Sequence, residues 1–152
     1  MLSRRKIIGY DEGETRLLSA MAEDARQYIR SFLWAPPEFE LELMWGVGNV
    51  LAIFLLTSKL LIGGTDDRLW VVVGDLPSAY LVIEPDDSPR EAIDRYCDLM
   101  SDWCDAVENN TELSQVYPVR AAPTAANADL LERRIKFIRE DLMARIPGRA
   151  IG

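Results

Sequence analysis

"FELELMWGVGNVLAIFLLTSKLLIGGTDDRLWVVVGDLPSAYLVIE", residues 39–84, decides the fold. Its opening alternates, with Phe39, Leu41, Leu43 and Trp45 on one face of an extended chain and Glu40, Glu42 and Met44 on the other. A period of two marks a strand with one buried face. The outward glutamates suit a sheet edge, where charge discourages foreign pairing. "GVGN" then reads as a turn, "VLAIFLLTSKLLI" as a second strand, "GGTDDR" as a turn, "LWVVV" as a third strand, "GDLPS" as a turn and "AYLVIE" as a fourth. Parallel crossovers need about a dozen residues or more, and these connections are shorter, so the strands form an antiparallel meander.

The second to fourth strands carry apolar residues on both faces. An antiparallel sheet covered on one side alternates apolar with polar, so both faces of this one need a cover. Helix from the same chain or a second copy would serve, and the pattern leads to the expectation of a homodimer or other self-assembly.

Helical periods flank the strands. Leu17, Leu18, Met21, Ala25, Tyr28, Ile29 and Phe32 recur at three and four, predicting a helix from about Glu14 to Trp34, closed by Pro36 and Pro37. Residues 1–13 are expected to be a flexible N-terminal segment. After the strands, Ser88, Pro89 and Glu91 have the order of a helix N-cap, first position and capping-box partner, and the helix runs to about Asn109. "ELSQVYPVRAAP" is an extended connector. A last helix runs from Thr124 or Asn127 to Arg145, with Leu131, Ile135, Ile138 and Leu142 on one face. The expected fold class is α+β: an N-terminal helix, a four-stranded antiparallel meander and two C-terminal helices packed on the sheet, in a single domain spanning 1–152.

Composition narrows the chemistry. The 152 residues include no histidine, which removes histidine triads, His-containing zinc sites and imidazole acid–base catalysis. Cys97 and Cys104 are seven apart in one predicted helix, an advance of about 10.5 Å. A disulfide tolerates about 7 Å between Cα atoms, so they are read as buried thiols in a reducing compartment. "MLSRRKIIGYDEGE" starts basic, but only Ile7 and Ile8 follow, so no secretory leader is expected. The longest oily run, Val50 to Leu56, is far below a membrane span. A cytoplasmic protein without membrane contact, and without cofactor, is the expectation.

The acidity belongs to one region. Asp75 to Glu112 carries a local charge of −9, whereas the rest of the chain sums to +1. On a helical wheel Glu91, Asp94, Asp98, Asp102 and Asp105 share an arc of about a quarter turn. Ile93, Tyr96, Cys97, Met100, Trp103, Cys104 and Val107 lie opposite. Repulsion among these neighbouring carboxylates costs the helix on the order of 1–2 kcal/mol, which packing of the apolar face offsets. The arc reads either as a solvated outer face, with Arg133, Arg134, Lys136 or Arg139 of the last helix beside it, or as a docking face for a basic protein. It repels nucleic acid, so no DNA or RNA partner is expected. A straight helix splays its carboxylates outward, so no metal is expected on it.

The remaining constellations are weaker. Asp75, Ser78 and Tyr80 in "GDLPSAY" stand close together, but no base for Ser78 is identifiable and turn chemistry explains the residues. "GVG" lacks the third glycine of a dinucleotide fingerprint and leads into a strand. "EPDD" lacks the glycine and distal glutamate of a calcium loop. Trp70 and Tyr80 are expected to meet across the third and fourth strands, making a pocket with Asp75. Two functions follow: a non-enzymatic interaction or regulatory protein (adaptor or immunity-like) using the Glu91–Asp105 arc, or a small-molecule-binding protein or carboxylate-dependent enzyme with an aromatic-lined pocket at Trp70, Asp75 and Tyr80.

Overall fold

A computed structural model describes residues 11–62 and 66–152. The chain forms an N-terminal helix, a four-stranded antiparallel sheet and two C-terminal helices, an α+β arrangement. It divides into two compact units, with the boundary between Asp86 and Asp87.

In the first unit α1 spans Glu12–Arg30. Asp11 caps it, its carboxylate accepting from the Glu14 N–H at 2.8 Å, and Glu12 and Glu14 complement the positive end of the helix dipole. Of the segment expected to be flexible, residues 11–13 form the cap and first turn of the helix, and residues 1–10 lie outside the described residues. Leu18, Met21, Ala22, Ala25 and Ile29 make the buried stripe. The helix stops at Arg30 rather than Trp34. Ser31 donates its hydroxyl to the Tyr28 carbonyl at 2.6 Å, and the chain bends away before the two prolines.

Strands β1 (Glu40–Val47), β2 (Leu51–Ile62), β3 (Asp66–Gly74) and β4 (Ala79–Val82) lie in the order β1-β2-β3-β4, so β1 is at an edge as its glutamates suggest. The register sorts the apolar residues by face. Leu41, Leu43, Ala52, Phe54, Leu56, Leu69, Val71 and Val73 belong to the face that forms one core with α1. The opposite face carries Leu51, Ile53, Leu55, Trp70, Val72, Ala79 and Leu81, which are buried as well.

One alternation breaks. The register shifts between Leu43 and Trp45, so that Leu43 faces Phe54 while Trp45 faces Ile53. The extra residue, Met44, moves Trp45 to the face opposite Leu41 and Leu43, where a strict period of two does not put it. The β1–β2 turn is tied to the helix: Glu14 Oε1 accepts from the Gly48 N–H at 2.6 Å, and Asn49 takes a left-handed conformation with φ 59°.

In the second unit α2 spans Pro89–Glu108 and α3 spans Ala125–Phe137. Ser88 Oγ accepts from the Glu91 N–H at 3.2 Å and Thr124 Oγ1 from the Asn127 N–H at 3.2 Å, so both helix starts are where their caps place them. Beyond Phe137 the helix continues as a wider π turn, Ile138–Leu142, then a 3₁₀ turn, Met143–Arg145. Ala128, Leu131, Ile135, Ile138 and Leu142 keep one buried stripe through the change. The following segment returns to the start of α2: Arg90 donates through Nε to the Ile146 carbonyl at 2.9 Å, and the Ile151 N–H donates to the Asp87 carbonyl at 2.9 Å.

Candidate interaction site

The site is built on α2, whose two faces differ in chemistry. Ile93, Tyr96, Cys97, Met100, Trp103 and Cys104 are buried. Glu91, Asp94, Asp98, Asp102 and Asp105 are all exposed. The helical period thus brings the five expected acids onto one solvent-facing strip, with Glu108 exposed one turn beyond Asp105.

Of the four cations expected near the strip, Arg139 lies on it. Its two terminal nitrogens each donate at 2.6 Å, one to Asp94 Oδ1 and the other to Asp98 Oδ1. The carboxylates stay 54% and 68% exposed and the guanidinium 35% exposed, so this bridge is a surface contact. Burial works against the Arg139 charge, but the Asp94 hydrogen bond and the negative neighbours outweigh it, and the guanidinium holds its proton more firmly than usual. Arg133 pairs instead with Asp129 on its own helix, and Arg134 donates to the Leu130 carbonyl. Glu91, Asp102 and Asp105 make no ion pair among the described residues.

At the C-terminal end of the strip, carboxylate oxygens of Asp105, Glu108 and Glu132 lie within 4.8 Å of one another. Glu132, half-buried on α3, has its proton affinity raised first by burial, then by a hydrogen bond with Glu108 and by the charges of Glu108, Asp105 and Asp129. Among the described residues this is the one group of three ligand atoms that near. A hard divalent cation takes six or more oxygens, so three carboxylates would leave much of its shell to water. Asp105 belongs to the acidic arc that the sequence shows. Glu132 has no signal there, because its approach depends on how α3 packs against α2.

The thiols lie on the buried face of the same helix. Burial pushes Cys97 up to about 12, with Arg139 acting the other way and Asp94 and Asp98 adding to the rise. Burial likewise pushes Cys104 up to about 12, reinforced by Glu132, Glu108 and Asp105. Cys104 Sγ donates to the Ala128 carbonyl at 3.4 Å, joining the two helices. Both cysteines are free and buried, as their spacing requires.

The expected pocket residues do not assemble. Trp70 pairs with Leu81, whereas Tyr80 pairs with Val71, so the two rings project from opposite faces of the sheet. Their expected meeting is corrected: the turn length allowed the strands to pair but left the register open, and the register came out one residue away from that contact. Trp70 is fully buried, and Asp75 is exposed on the turn with its N–H on the Val50 carbonyl at 3.1 Å. Tyr80 joins an unforeseen group at the end of α1, its ring 4.9 Å from Trp34, 5.2 Å from Phe32 and 6.5 Å from Tyr28. Tyr28 and Phe32 are four apart on the helix, a spacing that signals their own contact but not the arrival of Tyr80 from β4.

The fold defines an α+β protein, and no described helix is long and apolar enough to cross a membrane. Comparison with known proteins finds no matching family, no matching curated protein and no matching solved structure.

Proposed function

We propose that the protein is a non-enzymatic interaction or regulatory protein that presents the acidic strip of α2 to a basic protein partner. The observation that carries this reading is the exposure of Glu91, Asp94, Asp98, Asp102 and Asp105 on one helix face that Arg139 neutralises only in part. A strip of one sign steers an oppositely charged partner and fixes its orientation more than it adds raw affinity. The same sign repels nucleic acid. The reading places the protein in the cytoplasm, where free thiols persist. The same reading keeps the homodimer or other self-assembly expected from the apolar residues on both faces of the second to fourth strands. The pocket alternative loses its main support once Trp70 and Tyr80 occupy opposite faces.

The experiment is affinity capture from native lysate at low and high salt. One bait is the wild-type chain and the other carries Asp94→Asn, Asp98→Asn, Asp102→Asn and Asp105→Asn. A basic protein held by the wild-type bait alone, and released by salt, supports the reading. Identical capture by both baits refutes it.

A further inference from the structure

Arg26 is the one buried cation among the described residues. It follows the buried Ala25 and lies one turn from the buried Ala22, and 9% of its side chain is exposed. Burial of a charge is costly unless the charge is both paired and hydrogen-bonded. The pairing here is incomplete. Nε lies 3.4 Å from Glu23 Oε2, longer than a charge-assisted hydrogen bond, and the Glu23 side chain is 53% exposed. The two terminal nitrogens bond no acceptor among the described residues. No side-chain nitrogen of those residues is both sealed and unbonded, so this fork opens toward solvent rather than into the core. Arg95, in the other unit, shows the satisfied arrangement: its terminal nitrogens grip the two oxygens of Asp87 at 2.9 Å and 2.7 Å.

A second guanidinium stands one turn further along. Arg30 is four residues from Arg26, so the two Cβ atoms are about 6 Å apart on one helix face. Arg30 is exposed and makes no ion pair among the described residues, but it is not adrift: its Cζ lies 5.8 Å from the centroid of the buried Phe39 ring. We infer that Arg26 and Arg30 form a binding site for the carboxylate group of a small molecule. The terminal nitrogens of Arg26 take its two oxygens, and Arg30 closes over it from the next turn. Two parallel donors match the two oxygens of a carboxylate, as they do at Asp87. Charge favours the same ligand. Two guanidiniums beside the Glu23 carboxylate leave a single positive charge, which a monoanion balances and a phosphate dianion exceeds. Depth sets the size: a guanidinium this covered is reached by the end of a small molecule and not by a folded surface. Burial also strengthens the attraction, because little water screens it. The site belongs wholly to the first unit and stands whether or not α2 docks a partner.

The test is a nuclear magnetic resonance titration of the nitrogen-15-labelled full chain, with acetate as the probe. Sodium acetate replaces sodium chloride at constant ionic strength and pH, and a second series uses sodium phosphate. The readouts are the Arg26 Nε–H signal, identified by its loss in Arg26→Lys, and the backbone amides of α1. In the wild type, acetate is expected to shift these signals saturably. Arg26→Lys keeps the charge but loses the fork, and is expected to abolish the saturable shift of the α1 amides. Arg30→Gln, at an exposed position, is expected to weaken acetate binding by about two- to fivefold, the scale of one exposed ion pair. Glu23→Gln raises the local charge and is expected to improve phosphate binding relative to acetate.

A wild-type chain whose Arg26 signal does not move, or moves linearly without saturation, overturns the site. So does an amide response that persists unchanged in Arg26→Lys. Where Arg26→Lys does not fold, as its own spectrum shows, Arg30→Gln carries the decision, and an affinity equal to wild type overturns the arginine pair. A wild-type chain that responds to phosphate at lower concentration than to acetate overturns the carboxylate assignment.

Discussion

The carboxylate of Asp87, sealed from solvent, lies across both terminal nitrogens of Arg95 eight residues further on, at 2.9 Å and 2.7 Å. The same carboxylate accepts from the Ser88 N–H at 3.0 Å, at the start of α2. A buried charge persists when paired and hydrogen-bonded in this way, and removal of a partner exposes the desolvation cost. Asp87→Ala is expected to lower stability by about 3 kcal/mol. Arg95→Ala is expected to cost at least as much, because Arg95 is 30% exposed and reaches water whereas the carboxylate does not. Chemical denaturation of both variants, read as midpoint shifts at unchanged slope, checks the order.

Gly74 closes β3 with φ +152°, and a Cβ there would lie 2.3 Å from the Val50 carbonyl oxygen. Backbone cannot yield as a flexible side chain does, and the conformation is one that L side chains rarely adopt. Gly74→Ala is therefore expected to destabilise by about 2–4 kcal/mol. A thermal melt within a degree or two of wild type would contradict the strained turn.

The strand order and helix starts are legible because each depends on chain-local chemistry: short turns, the caps at Ser88 and Thr124, and periods of two or 3.6. The acidic strip is legible for the same reason, since one helix and its period suffice to gather Glu91 through Asp105. Trp45 is misplaced by its period because the bulge at Met44 adds a residue without a sequence mark. Trp70 and Tyr80 are adjacent in topology but opposite in parity, and a one-residue change of register decides between those outcomes. Arg139 and Glu132 meet α2 only through helix packing, which no periodicity encodes. Candidate cations are therefore readable from the sequence, but not which one bridges Asp94 to Asp98.

Glu132 gives the chain a pH dependence whose sign follows from its raised proton affinity. The folded state binds this proton more tightly than the unfolded chain, so the stabilisation is present below the unfolded carboxyl range and is lost as pH rises through the raised value. At neutral pH the three clustered carboxylates repel. Glu132→Gln keeps the shape and removes one charge, and is expected to stabilise by about 1 kcal/mol at neutral pH. The gain shrinks as pH falls and the wild-type carboxyl takes up its own proton. Denaturation midpoints of the two chains at neutral and acidic pH check the trend.

Cys97 and Cys104 supply the opposite end of the profile. Both thiols are pushed up to about 12, chiefly by burial, so the folded state disfavours the thiolate. Reaction with a disulfide reagent requires that thiolate and access to it, and native protein at mildly alkaline pH is expected to label slowly while denatured protein labels at both sites at once. The linkage has a fixed sign. Stability is fully present below the unfolded thiol value near 9.0 and falls as pH climbs from there through about 12, by about 1.4 kcal/mol per pH unit for each thiol. Lysines and tyrosines titrate in the same range, so the wild-type slope alone does not isolate the cysteines. Cys97→Ala with Cys104→Ala removes the thiol contribution and adds a packing cost that is the same at every pH, leaving the change of slope as the readout. A variant whose stability declines with pH less steeply than wild type above about pH 9 places the buried thiols on the alkaline limb. Parallel declines would mean that these thiols ionise as freely in the fold as in the unfolded chain.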